Sequence, residues 1–361
     1  MRKPIFFLLG LLYSSLALGQ VVETLIPVSV SHSFEAISWH TDGRIYSADL
    51  LNNRVNQINL DGSLTTVLPS ISSPLGGAFD PEGNFYVSEY NTGKVWRLTP
   101  DGTSSVLATG LDGSAGILVD TSRQRLFVAD YDASLIATID LSSGALDTLV
   151  RGGGLNGPDG MVYAPNGDLI VCNFNDNRIH RVTMAGEISL FTTVTQSPNT
   201  GYIVNFGDNY LVCGFDGHQI WRLSADGQEV SLWAGAGNPG HTDGSLAEAT
   251  FLRPNGIALS PTGDTLIVNS GVRPGGIRLI AGLNSTTSTQ QVNNDKITAL
   301  QLLPNPVVEE VTLKYTLKER SKLGFVLLTP TGREILVQQD SLQQAGQHAW
   351  RYTIPASLPG G

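Results

Sequence analysis

SPLGGAFDPEGNFYVSEYNTGKVWRL (residues 73–98) and GPDGMVYAPNGDLIVCNFNDNRIHRV (residues 157–182) are built on the same plan. In both, a small turn leads into an apolar strand, and a turn with Gly connects it to a second apolar strand. The second strand ends in an acid or amide, and a polar turn precedes a third strand. Apolar alternation and β-branched residues mark the strands, while glycine supplies the turns. The chain therefore repeats one unit of several short strands.

The unit occurs six times at a nearly constant period. The equivalent position of the second strand is occupied by Ala48, Ser88, Ala129, Cys172, Cys213 and Asn269, so the steps are 40, 41, 43, 41 and 56 residues. A period near 40 residues with several strands per unit is typical of a β-propeller blade, because one unit cannot bury both of its faces alone. The sequence predicts an all-β fold with a six-bladed β-propeller over residues 21–282.

The sixth unit lacks an outer strand of its own. Residues 22–27 (VETLIP) read like the outer strands at 63–69 (SLTTVLP) and 145–150 (ALDTLV). We expect residues 21–28 to pair with blade six and close the ring, because closure removes two exposed sheet edges. The alternative is a disordered leader.

The longest step between units contains an insertion, WAGAGNPGHTDGSLAEATFLRP (233–254). Ser245 and Glu248 have the spacing of a capping box, which predicts a short helix between blades five and six. His241 and Asp243 in the same insertion are candidate ligand contacts, and a solvated loop is the alternative interpretation.

The first residues of the chain have the features of a secretory signal. Arg2 and Lys3 precede an apolar run at 5–12, and Ala-Leu-Gly at 17–19 is a small-x-small cleavage site. We expect residues 1–19 to direct export and to be removed, which places the protein outside the cell or on its outer surface. The apolar run is too short to span a bilayer, and no other segment is predicted to be transmembrane.

Composition and motifs exclude several functions. The net charge is −10, with no basic cluster to offset it, so a nucleic-acid partner is excluded. No CxxC or HExxH motif supports a zinc site, and no Gly-x-Ser-x-Gly elbow supports a serine nucleophile. Cys172 and Cys213 occupy the same register in neighbouring blades, so we expect buried free thiols rather than a disulfide.

Residues 158–171 (PDGMVYAPNGDLIV) and 254–268 (PNGIALSPTGDTLIV) resemble NHL-type repeats and the related propellers of the gluconolactonase/regucalcin superfamily. The Asn-Asn-Arg-Val run at 52–55 and the glycine pattern at 235–254 carry the same resemblance, which covers roughly residues 21–282. It implies the propeller fold. It leaves the activity open, because this fold hosts many functions.

The lactonases of that superfamily hold a divalent cation, usually calcium, so the resemblance implies Ca²⁺ as a cofactor. Their Glu falls on Glu35, and their other ligand positions fall on Ser114, Asp159 and Thr200, the last being the position of the base. Glu35, Asp159 and Asn255 lie at first-strand starts that converge on the channel, so they form an alternative metal cluster with Asp159 as its catalytic candidate. The other interpretation is that Asp159 and Asn255 cap tight turns, which is commoner for Asx residues.

Four aromatic residues share one position, just after the second strand of their blades. We expect them either to form a ligand rim that stacks on sugars or peptides, together with His241 and Asp243, or to pack between blades. The four are Tyr90, Tyr131, Phe174 and Phe215.

The tail follows a polar linker at 283–296 and is predicted to be a small, separate β-sandwich-like module at 297–361. It resembles the C-terminal sorting domain of the type IX secretion system of Bacteroidota, through PNP at 304–306, TPTGREI at 329–335 and the closing LPGG. The resemblance implies that this module engages the type IX machinery. That family continues past the last turn with a further strand, so the domain is expected to be incomplete here.

Three functions remain open. The first is binding of a glycan, a peptide, a protein or a small molecule, and the second is a Ca²⁺-dependent lactonase-like hydrolysis. The third is a lyase activity, because residues 76–103 also resemble streptogramin-lyase repeats. Such a lyase needs a catalytic histidine in the channel, and none of the six histidines lies at a first-strand start. Binding is favoured over catalysis because the lactonase base position is Thr200.

Overall fold

The computed structural model describes residues 20–271, 273–283, 297–303, 310–328 and 334–353. These residues fall into two compact units, one within Gly19–Asn284 and the other within Ser285–Gly361. The predicted signal peptide lies outside the described residues, as does the predicted linker apart from Leu283.

The first unit is a six-bladed β-propeller, as predicted. Each blade is an antiparallel sheet whose strands follow one another along the chain, except where blade six is completed from the amino-terminal side. The chain begins with β1 (Val21–Ser29), and blade one has β2 (Phe34–Trp39), β3 (Ile45–Asp49), β4 (Arg54–Ile58) and β5 (Leu64–Leu68), while blade two has β6 (Pro74–Phe79), β7 (Phe85–Glu89), β8 (Lys94–Leu98) and β9 (Ser104–Ala108). Blade three has β10 (Ser114–Asp120), β11 (Arg125–Asp130), β12 (Leu135–Asp140) and β13 (Leu146–Arg151), and blade four has β14 (Pro158–Tyr163), β15 (Leu169–Asn173), β16 (Arg178–Val182) and β17 (Ile188–Thr193). Blade five has β18 (Ile203–Phe206), β19 (Asn209–Gly214), β20 (Gln219–Leu223) and β21 (Val230–Ala234), and blade six has β22 (Gly244–Ser245), β23 (Pro254–Leu259), β24 (Thr265–Ser270) and β25 (Gly275–Ala281).

The first strands of the blades form the wall of the channel. They contact one another in a closed circle, in the order β2, β6, β10, β14, β18, β23 and back to β2. The second strands lie behind them and are fully buried, as in β3 and β7, because apolar side chains from neighbouring blades cover both faces. This packing between blades is the hydrophobic core of the ring.

Glycines allow the first strands to approach each other backbone to backbone. The third residue of the first strand is Gly76, Gly116, Gly160 or Gly256 in four of the blades. A Cβ atom on Gly76 would lie 1.9 Å from the carbonyl oxygen of Ala115, and one on Gly256 would lie 2.2 Å from that of Glu35. The atoms that a side chain would meet are backbone atoms of the neighbouring blade, which cannot rotate away, so only glycine fits at these positions. The first strands therefore lie in close backbone contact around the channel.

Strand β1 closes the ring, which confirms the expectation for residues 21–28. It pairs antiparallel with β25, with Val21 opposite Ala281 and Val22 opposite Ile280. Val22 is completely buried against blade five and blade six residues. The first residues of the propeller therefore supply the outermost long strand of its last blade.

The predicted helix in the insertion is wrong. Ser245 lies in the two-residue strand β22, which pairs with β1, and the residues after it form a single turn. The Ser245 hydroxyl donates to Oε2 of Glu248 at 2.8 Å, so the two side chains bond each other rather than the backbone N–H groups that a capping box would satisfy. Pairing with β1 fixes Gly244 and Ser245 in a strand, and the short turn that follows is too short to offset the free-energy cost of helix nucleation. This explains why no helix forms.

The remaining expectations on structure concern the cysteines and the tail. Cys172 and Cys213 are buried free thiols, as predicted. In the second unit, β26 (Ile297–Leu303), β27 (Glu310–Leu317) and β30 (Gly346–Thr353) form one sheet, and β28 (Ser321–Leu328) pairs with β29 (Glu334–Gln343). The three motifs that carry the sorting-domain resemblance fall almost entirely outside the described residues.

No helix among the described residues is long and apolar enough to cross a lipid bilayer.

Candidate functional site

One end of the propeller channel collects the starts of the first strands. Each first strand begins opposite the end of its second strand, as Pro158 opposite Asn173 and Pro254 opposite Ser270 show. The second residue of the first strand is therefore the equivalent position in five blades, and in blade five the register gives the same position to Gly201, just before β18. In blade order these residues are Glu35, Leu75, Ala115, Asp159, Gly201 and Asn255.

The structure places Glu35 in contact with Asn255 and near Asp159, although no three His, Cys, Asp or Glu side chains of the described residues are grouped to hold a metal ion. The Nδ2 amide of Asn255 donates to Oε2 of Glu35 at 2.7 Å, which joins blade six to blade one. Glu35 and Asp159 are close enough to repel each other electrostatically although they belong to blades on opposite sides of the ring. The exposed fractions are 6% for Glu35, 7% for Asp159 and 4% for Asn255, so the cluster is nearly sealed.

Burial raises the pKa of both carboxyls, and the Asp159 charge adds to the effect on Glu35. The pKa of Glu35 is raised well above its usual value, first by burial and then by the Asp159 charge, against a smaller opposing effect of Asn255. Burial raises the pKa of Asp159 to about 7, against the opposing effects of the Tyr202 hydroxyl and the Gly116 N–H. No Lys, Arg or His of the described chain forms an ion pair with either carboxyl. No cation of the described residues therefore offsets the negative charge that either carboxyl acquires when it ionises.

Tyr202 belongs to the site and was not anticipated. It directly precedes β18, at the position equivalent to the glycine of four other blades. Its hydroxyl is buried and makes no hydrogen bond of standard geometry with a described residue, yet it lies near enough to Asp159 and Glu35 for both charges to raise its pKa after burial itself. Aligning the blades by strand register, rather than by motif letters, would have placed it there.

Two positions named by the lactonase resemblance have structural roles. The hydroxyl of Thr200 donates to the carbonyl of Asn173 at 3.1 Å, and that of Ser114 donates to the carbonyl of Glu89 at 3.1 Å. Both are buried and tie a first strand to the preceding blade. Neither is a carboxylate that could act as a base.

The four aromatic residues form a continuous arc over blades two to five. Ring centroids are 6.1 Å apart for Tyr90 and Tyr131, 6.2 Å for Tyr131 and Phe174, and 4.9 Å for Phe174 and Phe215. The first three rings are half-buried and Phe215 is buried. The rings thus pack between blades, and the arc still presents part of three rings to solvent.

The aromatic arc adjoins the carboxyl cluster at two points. A Cβ atom on Gly271 would lie 2.5 Å from Cβ of Asn255 and 2.9 Å from Cε2 of Phe215, so Phe215 and Asn255 share the space that this glycine leaves open. At the middle of the arc, the Asp159 charge contributes to the raised pKa of Tyr131, behind the larger effect of burial. The arc and the cluster are therefore two layers of one site.

The other two predicted rim residues lie in the insertion. Asp243 pairs with the buried guanidinium of Arg278 on β25 and accepts from the Thr24 hydroxyl at 2.8 Å. Both ring nitrogens of His241 are buried with no partner among the described residues, and burial, followed by the nearby Arg278, lowers its pKa. These contacts bind the insertion to the edge of blade six, and none of the ring contacts found in the described chain joins His241 to the aromatic arc.

Solved structures with the same fold include proteins of different function. An auxiliary nutrient binding protein from Bacteroides thetaiotaomicron is 15% identical with a TM-score of 0.61, covering 73% of this chain and 76% of its own. A gluconolactonase from Xanthomonas campestris is 14% identical with a TM-score of 0.59, covering 78% and 95%. Virginiamycin B lyase from Staphylococcus aureus is 18% identical with a TM-score of 0.52, covering 69% and 80%. At such identities the likeness shows the fold alone.

No curated protein matches the chain at a significant level. Residues 76–200, which span blades two to four, match the family model described as SMP-30/Gluconolactonase/LRE-like region.

Proposed function

We propose that this protein is an exported propeller that binds a glycan, a peptide or another small organic ligand at the end of the channel where the aromatic arc lies. The observation that carries the proposal is the arc itself, with four rings in contact across four blades above a buried polar cluster. Aromatic faces offer large apolar contact to sugar rings and peptide side chains, and the polar groups beneath fix orientation. The nutrient-binding description of one protein of the same fold is consistent with this.

Polar groups at the edge of the arc support ligand binding there. The Tyr90 hydroxyl donates to Oδ1 of Asp132 at 3.1 Å, and at the other end the Arg253 guanidinium lies 5.6 Å above the Phe215 ring while pairing with Asp216 at 2.8 Å. These contacts hold the exposed edges of the rings in place. A rim with fixed rings loses little conformational freedom when a ligand stacks on it.

Removing one ring from the middle of the arc should weaken the ligand's affinity. We expect Tyr131→Ala to lower the affinity for any glycan or peptide that binds the purified propeller by about tenfold or more, since one ring supplies about 1.4 kcal/mol. Array screening followed by calorimetric titration would measure this.

The matched control is Phe206→Ala, which removes a half-buried aromatic from the opposite end of a first strand. It should leave the affinity unchanged. Equal losses in the two variants, or binding that survives the loss of Tyr131, would place the ligand elsewhere on the propeller.

Export is part of the proposal and is supported by the sequence of both chain ends. Residues 1–19 would direct passage through the inner membrane, and residues 297–361 would engage the type IX machinery. Fractionation of expressing cells, with and without residues 297–361, tests this route. Retention of both forms inside the cell would contradict it.

A second candidate is a Ca²⁺-dependent lactonase-like hydrolase. The observation in its favour is a set of hard oxygen donors, the carboxyls of Glu35 and Asp159 and the unpartnered Oδ1 of Asn255. Backbone carbonyls and water would have to complete the coordination. Bound calcium would polarise a lactone carbonyl. Asp159, with its pKa raised to about 7, is suited to accept a proton from water near neutral pH.

Calcium titration separates this candidate from simple ligand binding. If the hydrolase interpretation holds, calorimetry should show binding at micromolar to millimolar Ca²⁺ that Glu35→Gln and Asp159→Asn each abolish, and a lactone panel should reveal hydrolysis dependent on the ion. Asp61→Asn, an exposed carboxylate, is the control that should leave binding intact. No heat of binding at about 10 mM Ca²⁺ would remove the candidate.

A further inference from the structure

The carboxyl cluster lacks a cationic partner. Glu35 and Asp159 are both more than nine-tenths buried, and each of the ion pairs found among the described residues involves other carboxylates. Buried carboxylates are costly unless they are paired or protonated. A positively charged group entering from outside would be stabilised here by both of them.

One amide oxygen in the cluster is also without a partner. Asn255 is 4% exposed, and while its Nδ2 is used by Glu35, its Oδ1 makes no hydrogen bond to any described residue. A Cβ atom on Gly201 would lie 2.2 Å from this oxygen, so Oδ1 points into the space that a side chain at the equivalent position of blade five would fill. A buried acceptor with no hydrogen-bond partner among the described residues indicates a missing donor.

The number of acceptor groups in the cluster matches the number of N–H donors of a primary ammonium. The other three equivalent positions hold Leu75, Ala115 and Gly201, which add no side-chain oxygen. The side chains therefore present acceptor oxygens from three groups, two carboxyls and one amide. Calcium takes six to eight oxygen ligands, whereas a primary ammonium has three N–H donors in a compact head.

The aromatic arc fits the rest of such a ligand. Phe215 lies beside Asn255 across Gly271, and Tyr131 is close enough to Asp159 to feel its charge. Aromatic faces attract cations and cover apolar or ring-shaped bodies, and desolvation strengthens this attraction. A head group on the cluster would place the body of its molecule against these rings.

We propose that the ligand of this site is a primary amine, whose ammonium group is bound by Glu35, Asp159 and Asn255 and whose ring or short apolar body lies under the aromatic arc. This inference rests on the proposed binding function and names the chemical class of its ligand. An amino sugar or an amine-bearing peptide side chain belongs to this class, and the corresponding neutral molecules do not.

Matched pairs of probes that differ only in charge test the inference. Calorimetric titration of the full chain with 2-phenylethylamine and 2-phenylethanol, and with glucosamine and glucose, should show each amine binding at least about tenfold more tightly than its neutral partner. Glu35→Gln should remove this preference while the protein still melts cooperatively. Asp61→Asn changes the net charge equally on the exposed surface and should preserve the preference.

The outcomes separate this inference from the proposed function. Equal affinity for the amine and the neutral partner, with both lost in Tyr131→Ala, would overturn the amine assignment and leave ligand binding at the arc standing. An amine preference that persists in both Glu35→Gln and Asp159→Asn would also overturn it. Failure of all four probes at about 10 mM would overturn it as well, and the array experiment would then decide the proposed function by itself.

Discussion

Gly116→Ala should lower the free energy of unfolding by about 3 kcal/mol or more. A Cβ atom at this position would lie 2.1 Å from the carbonyl oxygen of Asp159 and 2.8 Å from its carbonyl carbon. Both are backbone atoms of the next blade, so no side chain can rotate away, and the first strands of blades three and four must separate. Denaturant unfolding, monitored by tryptophan fluorescence, would measure the loss.

Gly167→Ala is the matched control. Gly167 has a φ of 86° and nothing within 4 Å of its added Cβ atom, so the substitution carries only backbone strain, about 1–2 kcal/mol. A Gly116 variant no less stable than the Gly167 variant would show that the inner strands do not touch as the structure has them.

Asp159→Asn should stabilise the protein at pH 8 by a few kcal/mol. The pKa of this carboxyl is 3.8 in the unfolded reference and about 7 in the fold, mainly because of burial. The folded protein therefore holds the proton more tightly, and the stability this gives is lost as pH rises from about 4 to about 7, at about 1.4 kcal/mol per pH unit. Asparagine resembles the protonated carboxyl, so the variant escapes that loss.

Thermal melts of the wild type and the variant at pH 4 and pH 8 would measure this. The two proteins should be alike at pH 4 and diverge as pH rises. Asp140 is a useful contrast because hydrogen bonds from Ser142 and Ser143 lower the pKa of this exposed carboxyl, so Asp140→Asn should be destabilising at pH 8. An Asp159 variant less stable than wild type at pH 8 would mean that a charged Asp159 is compensated in the fold.

The repeat pattern was sufficient to predict the propeller and its closure. Residues 22–27 have the alternation of an outer strand, and blade six has no other segment to serve as its outer strand. The unfavourable exposure of an unpaired sheet edge therefore predicts that these residues pair with blade six. The convergence of Glu35, Asp159 and Asn255 also followed from the fold, because equivalent positions of a ring must face a common axis.

Other features depended on three-dimensional contacts that the sequence does not encode locally. Tyr202 reads as an ordinary strand residue until the register shows that it stands in a glycine position beside Asp159. Ser245 and Glu248 satisfy a helix signal, but pairing with β1 determined the conformation instead. Asp243 reads as an ordinary polar loop residue in the sequence, because its ion-pair partner Arg278 lies on a strand much later in the chain.

The pairing of β1 with β25 has a consequence for synthesis and delivery of the polypeptide. The amino-terminal segment of the ring emerges first from a ribosome or a translocation pore, and its partner emerges only after five blades have followed. Each of blades one to five consists of strands that are neighbours in sequence, so these blades can form one after another during synthesis. The pairing of β1 with β25 can form only after β25 has emerged. Until then an apolar strand with free amides and carbonyls is available to other chains. The nascent protein is thus most in need of a chaperone between the appearance of Val21 and that of Ala281.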